Sequence, residues 1–151
     1  MLKKISRYLK PKADDVFVEL GCGKGRVVFF YNTFKFKKMI GIELKKELAE
    51  IAKENLEALK IRNNPIEIIH GDAANVDLTD GTLFFLNNPF GFKTLSSVLT
   101  SIKNSFRTHP RKVRIIYLNA VNANLLNEQP WLEIEEKISD RGAGDFIWRS
   151  V

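Results

Sequence analysis

Val16-Phe17-Val18-Glu19-Leu20-Gly21-Cys22-Gly23-Lys24-Gly25-Arg26-Val27-Val28 is the stretch that decides how this chain is read. An apolar run ends in an acid, turns through three alternate glycines and enters a second apolar run. Glycine belongs where the backbone takes φ > 0 or lies against a ligand with no Cβ in the way. Three glycines in five residues therefore predict a strand, a nucleotide-sized ligand on the turn, and a helix. A dinucleotide fingerprint, G-x-G-x-x-G, would place its third glycine at position 26. That position is Arg26, the third glycine is Gly25, and Glu19 stands two residues before the first.

On the N-terminal side, Leu2, Ile5 and Leu9 mark a helical stripe within Met1 to Lys10, which Pro11 stops. On the C-terminal side, Lys38 to Leu44 contains a second buried strand that also ends in an acid, Glu43. Lys45 to Lys60 has Leu48, Ile51, Ala52, Leu56 and Leu59 at helical spacing, and Asn63, Asn64 and Pro65 end it. Ile66 to His70 is a third strand, followed by Gly71-Asp72-Ala73. Thr82 to Leu86 is a fourth, followed by Asn87-Asn88-Pro89-Phe90-Gly91. Leu95, Val98, Leu99, Ile102 and Phe106 mark another amphipathic helix that ends near His109-Pro110. Val113 to Leu118 is a fifth strand, and Asn122 to Gln129 a short helix. Leu132 to Ile138 and Phe146 to Val151 are two more strands, joined through Arg141 to Asp145 as an antiparallel hairpin. Alternating strands and helices predict an α/β fold: a mostly parallel sheet with right-handed crossovers and helices on both faces.

At 151 residues, 44% hydrophobic and 28% charged, the chain reads as one soluble globular domain, 1–151. No apolar run is long enough to span a membrane, and Met1-Leu2-Lys3-Lys4 is followed by Ser6, Arg7 and Lys10 in place of an apolar signal core. The expectation is a cytoplasmic protein with no membrane partner. The one cysteine, Cys22, excludes an internal disulfide and has no metal-ligand companions, so no metal is expected. The net charge is +6, with basic clusters at Lys3 to Lys12, at Lys35 to Lys38 and at Arg107 to Arg114. These permit a nucleic-acid or acidic partner, but a solvated surface of small excess charge is the preferred reading. His70 and His109 have no partners that suggest a catalytic triad, and His70 is expected to pack beside Asp72.

Glu-x-Gly-x-Gly-x-Gly at Glu19 to Gly25 resembles the first motif of the class I, Rossmann-like methyltransferases that use S-adenosyl-L-methionine. The likeness covers essentially the whole chain. It is nearest to small bacterial and archaeal members with Gly-Cys-Gly-Lys-Gly-Arg after strand one and Asn-Pro-Phe after strand four, and Pro110-Arg111-Lys112-Val113 fits that group too. The resemblance implies a seven-stranded sheet of order 3-2-1-4-5-7-6 with strand 7 antiparallel. It implies S-adenosyl-L-methionine as the cofactor. It also implies a segment before strand one that helps close the cofactor site. Only residues 1–15 stand there, so the lid is either minimal or missing.

Ligands of open parallel sheets bind beyond the carboxyl ends of the strands, and four consecutive strands here end in Glu19, Glu43, Asp72 and Asn88. Glu43 falls 22 residues after Gly21, near the offset at which an acid accepts both ribose hydroxyls. Carried over position by position, the family's pattern puts Glu19, Gly21 and Gly23 under the methionine half, with Cys22 and Gly25 of the same turn among the cofactor-binding residues. It puts Glu43 on the ribose hydroxyls, Asp72 on the adenine amino group and Ala73 on the ring edge, with Leu44 also among the cofactor-binding residues. Asn87-Asn88-Pro89-Phe90 resembles the Asn-Pro-Pro-Tyr/Phe motif of methyltransferases that act on amino groups, with Asn88 in place of the first proline. It is also similar to the corresponding loop of the non-SET histone lysine methyltransferases. The resemblance makes Asn88, Pro89 and Phe90 the candidate catalytic residues, with Asn88 also touching the cofactor.

The reading is an N-methyltransferase of a protein or nucleic-acid substrate, with a protein lysine ranked ahead of an RNA or DNA base, acting as a monomer or weak dimer. A cofactor-binding module without its own activity is the competing class. A nicotinamide dehydrogenase is disfavoured by Arg26.

Overall fold

A computed structural model describes residues 2–60, 62–139 and 142–151. Met1 of the first stripe and Arg141 of the expected hairpin loop lie outside them. The seven strands form one sheet in the order β3-β2-β1-β4-β5-β7-β6. The chain divides into two units, Met1–Ala73 and Ala74–Val151.

The first unit runs α1 (Leu2–Leu9), β1 (Val16–Leu20), α2 (Arg26–Tyr31), β2 (Lys38–Glu43), α3 (Lys46–Glu57) and β3 (Ile66–His70). Every residue of β1 is buried, which is why it reads as an unbroken apolar run with one acid and no alternation. β1 pairs with β2 in parallel from Val16↔Lys38 to Leu20↔Ile42, and β2 with β3 from Met39↔Ile66 to Glu43↔His70. That register ends the three strands almost level, so the residues after them share one edge.

Two packing details were hidden in the sequence. The helix α3 turns Ala49 and Ala52 fully inward and leaves Leu48, Ile51 and Leu56 half-buried. Small side chains let its backbone lie close, and the larger ones flank the contact. Gly41 in the middle of β2 is the second. A Cβ there would stand 2.9 Å from Cys22 Sγ and 3.0 Å from Ile68 Cδ1, so this glycine makes room for the buried cysteine of the turn.

Asn32 and Asn64, both buried, hold the turn between α2 and β2. Asn64 accepts from the Phe36 backbone N–H at 2.7 Å and donates to the Phe34 carbonyl at 2.8 Å. Asn64, which ends the 45–60 helix pattern in the sequence, thus builds a fixed turn by bonding to backbone groups.

The second unit runs β4 (Leu83–Asn87), α4 (Phe92–Thr108), β5 (Arg114–Leu118), α5 (Ala123–Asn127), β6 (Leu132–Ser139) and β7 (Asp145–Ser150). β4 and β5 are parallel from Leu83↔Arg114 to Asn87↔Leu118, and β7 is antiparallel to both β5 and β6. The helix α4 buries Leu95, Val98, Leu99 and Ile102 of the stripe expected from its spacing and leaves Phe106 half-buried. Trp148 of β7 is fully buried, and its Nε1–H donates to Asn127 Oδ1 at 3.0 Å. Among the described residues no helix is long and apolar enough to cross a membrane.

Candidate functional site

In the first unit, the turn after β1 takes the shape its sequence demands. Gly21, Gly23 and Gly25 have φ of 79°, 55° and 85°, values at which a side chain would be strained. The backbone N–H groups of Gly21 and Cys22 both donate to the Ile42 carbonyl at 2.9 Å, which docks the turn on the end of β2.

Glu43 then crosses to the turn. Its Oε2 accepts from the Gly23 N–H at 2.8 Å and its Oε1 from the Lys45 N–H at 2.9 Å. Its carbonyl accepts from the Gly71 N–H at 2.9 Å, which ties in the segment that leads to Asp72 and Ala73. Glu43 is 8% exposed, more enclosed than a strand-end acid is expected to be. Leu44, next in the chain, is 65% exposed, a large apolar side chain left open beside the fixed carboxylate. A Cβ at Gly23 would meet nothing within 4 Å, so the space over the turn is open. Asp72 is half-buried and Ala73 buried.

Glu19 lies underneath. It is 5% exposed, and its Oε2 accepts from the Val28 N–H at 3.1 Å. Gly25 gives α2 no side-chain cap, so Glu19, from the neighbouring strand, satisfies one of the helix's unpaired donors. Burial pushes its carboxyl up to about 8. Burial likewise pushes the Cys22 thiol up to about 12, so it is an inert packing group. His70 is exposed, with Nε2 3.2 Å from the Leu44 carbonyl.

In the second unit, Asn88 follows β4 with φ 47°, a left-handed conformation that asparagine tolerates better than most residues. Asn119 follows β5 with φ 48°, and the level register of the two strands sets both at one edge. Pro89 is exposed and Phe90 half-exposed, so Phe90 is not a core side chain. The residue that the sequence did not single out is Tyr117. Its Oη donates to Asn88 Oδ1 at 2.8 Å and accepts from the Asn122 N–H at 3.4 Å. Burial raises the Tyr117 hydroxyl above the usual tyrosine value, keeping it a donor at neutral pH. The available signal was a tyrosine as the next-to-last residue of a buried strand, two positions before the left-handed Asn119. Among the described residues no cluster of His, Cys, Asp and Glu could hold a metal.

Open space over Gly23, a fixed carboxylate with lone pairs to spare, and an apolar side chain held out beside it suit a ligand with hydroxyls and a flat ring. They fit a nucleoside. The strand order, the antiparallel β7 and this turn together define the class I, Rossmann-like methyltransferase architecture. A family model described as "Methyltransferase domain" matches residues 17–108, and the chain belongs to that family of S-adenosylmethionine-dependent methyltransferases.

Among proteins of known role, a protein-lysine N-methyltransferase of Saccharolobus islandicus (strain REY15A) is 28% identical over 92 residues, covering 58% of this chain and 56% of its own. A histone-lysine N-methyltransferase of Dictyostelium discoideum, specific for H3 lysine-79, is 30% identical over 105 residues, covering 61% of this chain and 6% of its own. The chain thus spans little more than half of the first relative and a small part of the second. Among solved structures, an RNA methyltransferase from Salinibacter ruber in complex with S-adenosyl-L-homocysteine superposes with a TM-score of 0.68 at 16% identity, over 99% of this chain and 88% of that one.

Proposed function

We propose that the chain transfers a methyl group from S-adenosyl-L-methionine to the amino group of a protein lysine. The observation that carries the lysine reading is the uncharged Asn88 carboxamide, fixed by Tyr117 at the exposed end of β4. The two lysine methyltransferases among the relatives point the same way. When bound, the cofactor supplies an electrophilic methyl on a sulfonium, and no protein nucleophile or metal is needed for the chemistry.

The chain's own residues hold and exclude. Glu43 accepts the ribose hydroxyls, with its carboxylate already aimed by the Gly23 and Lys45 N–H groups. Leu44 covers the adenine ring, Asp72 accepts from its amino group and the Ala73 backbone meets its edge. Gly21, Cys22, Gly23 and Gly25 let backbone lie against the methionine half, and Glu19 keeps that turn in place from below. Asn88 accepts an N–H of the substrate amine. A neutral acceptor does not favour the ammonium form, so the amine is held with its lone pair free. Phe90 packs on the stem of the substrate, and Pro89 keeps the loop stiff between them. The protein works in the cytoplasm as a monomer or weak dimer.

The first test is thermal. At a hundredfold excess over Kd, either S-adenosylmethionine or S-adenosylhomocysteine stabilises by about 2.7 kcal/mol. For a chain of this size that is a rise in melting temperature of roughly 5–10 °C. NAD should give none, and a rise with NAD alone would refute the assignment of the turn. Incubation with labelled cofactor, a mixed protein fraction and total RNA should then label lysine. Label in RNA would move the assignment to a base, and label in neither would leave a binding module.

Glu43→Ala should weaken the cofactor by about 1.5–3 kcal/mol, the scale of a charge-assisted hydrogen bond. Because two backbone donors lose their acceptor, it should also lower the melting temperature of the free protein. Calorimetry decides the role: unchanged affinity would make Glu43 a brace for the turn and nothing more.

A further inference from the structure

We infer that the end of the first unit opposite the glycine turn is a nucleic-acid-binding surface that grips the phosphodiester backbone, whichever amino group receives the methyl. Residues 2–15 and 33–38 contain eight basic residues against two acids, Asp14 and Asp15, so these two segments carry the whole +6 of the chain and the remainder is neutral.

The fold brings the two segments together. The Tyr31 hydroxyl donates to the Leu2 carbonyl at 3.3 Å, joining α1 to the end of α2. The Lys37 N–H donates to the Asp15 carbonyl at 2.9 Å, joining the second segment to the first. The Phe17 ring packs between Tyr31 and Phe36 at centroid distances of 5.6 and 5.5 Å. The 33–38 turn is fixed by the buried Asn64, so its lysines stand on a rigid base.

These segments precede β1 and β2, whereas the glycine turn and Glu43 follow them. A five-residue strand separates the two ends by roughly 13 Å.

Most of the basic side chains here stand exposed; in the third basic cluster Arg107 and Lys112 are exposed too, while Arg111 and Arg114 are engaged. Lys3, Arg7, Lys10, Lys12, Lys35 and Lys37 are exposed, and among the described residues none of these side chains is in an ion pair. Lys38 is held by Glu67 at 2.6 Å. In the second unit, Arg111 spends its guanidinium on the Gly81 and Leu78 carbonyls and Ser105 Oγ, and Arg114 pairs with Glu135 at 2.8 Å.

Two alternatives fit less well. An amphipathic basic helix can lie on a membrane, but it must insert its apolar face. Ile5 and Leu9 of α1 are already buried in the protein. A single-strand reader would interleave aromatic platforms with the charges. Of the aromatic residues within the two segments, Phe36 is turned into the core, Phe34 packs on the buried Tyr31 at a centroid distance of 5.9 Å, and Tyr8 is half-buried. What remains on offer is an array of cations on a fixed backbone, which suits the regularly spaced phosphates of a duplex.

The test uses the whole chain and labelled DNA and RNA duplexes of about 20 base pairs, with poly-glutamate as competitor. The variant is Lys10→Ala, Lys12→Ala, Lys35→Ala and Lys37→Ala combined, and the control of lesser charge loss is Lys53→Ala with Lys60→Ala on and after α3. Wild type should bind duplex with a steep salt dependence. The fourfold variant should bind at least tenfold more weakly near 0.1 M salt and lose about 2–4 from the slope of log K against log salt, at ~0.9 per lost phosphate contact. The control should keep the slope. Binding of both duplexes supports backbone recognition in general, and binding of RNA alone supports it for A-form duplex. An unchanged slope in the fourfold variant overturns the inference. So does displacement by poly-glutamate at equal charge, which would give the surface to an acidic protein. The cofactor's thermal shift, measured on the same samples, reports folding and the methyltransferase reading separately.

Discussion

Glu19→Gln is expected to make the protein more stable than wild type at alkaline pH and close to wild type at mildly acidic pH. Burial is the main cause of the raised Glu19 value, with Glu43 adding to it and the Val28 N–H and Arg26 opposing it. The folded value is about 8 against an ordinary 4.5. Between those two pH values the folded chain binds a proton that the unfolded chain has released, so wild-type stability falls as pH rises through that window and levels off above it. Glutamine keeps an oxygen for the Val28 N–H and carries no proton to lose. The gap should therefore open between about pH 5 and pH 8 and reach roughly 2–5 kcal/mol at its widest, since each pH unit between the folded and unfolded values is worth about 1.4 kcal/mol. Urea unfolding across that range, with unchanged m, measures it. Parallel stability curves for the two proteins would show that the Glu19 carboxylate is already ionised at neutral pH.

Glu19 also shows where the sequence stops being legible. A strand-end acid before a glycine turn has the same local pattern whether its carboxylate faces a ligand or turns back under the following helix. Only the meeting of residues 19 and 28 across the turn selects the second orientation. The strands themselves were plain, because the buried runs in β1, β2, β4 and β5 have apolar stretches that suit no other environment. The turn was plain because three alternate glycines have few other uses. Gly41 was not, since the cysteine it makes room for is 19 positions away in the sequence. Nor was the division of the basic residues into free and engaged ones. The partners of Arg111 at Leu78 and Gly81 and of Arg114 at Glu135 are 21 or more positions away, and no composition reveals them.

The largest expected effect on function lies at Asn88. Asn88→Ala should lower turnover by roughly 10²-fold or more, the scale for loss of a positioned polar group at a reacting centre. Cofactor affinity should change by about 1 kcal/mol or less. Alanine also sits poorly at φ 47°, at a cost of about 1–2 kcal/mol, so the alanine variant alone would mix strain with chemistry. Two further variants separate them. Asn88→Asp tolerates the same backbone and still accepts from the Tyr117 hydroxyl, but its charge favours the protonated amine. Its rate should be low at neutral pH and recover as pH rises, where wild type is already active. Tyr117→Phe removes only the hydroxyl that fixes Oδ1 at 2.8 Å. It makes Tyr117 a positioning residue if kcat falls about tenfold while the pH profile and the cofactor's thermal shift stay those of wild type, a loss of about 1.4 kcal/mol of orientation. Phe90→Ala should act on KM, through lost packing on the substrate. Single-turnover rates at saturating cofactor read all four. Near-native rates in Asn88→Ala would return Asn87 to Phe90 to the status of a turn, and a wild-type pH profile in Asn88→Asp would remove the free-amine argument on which the lysine assignment rests.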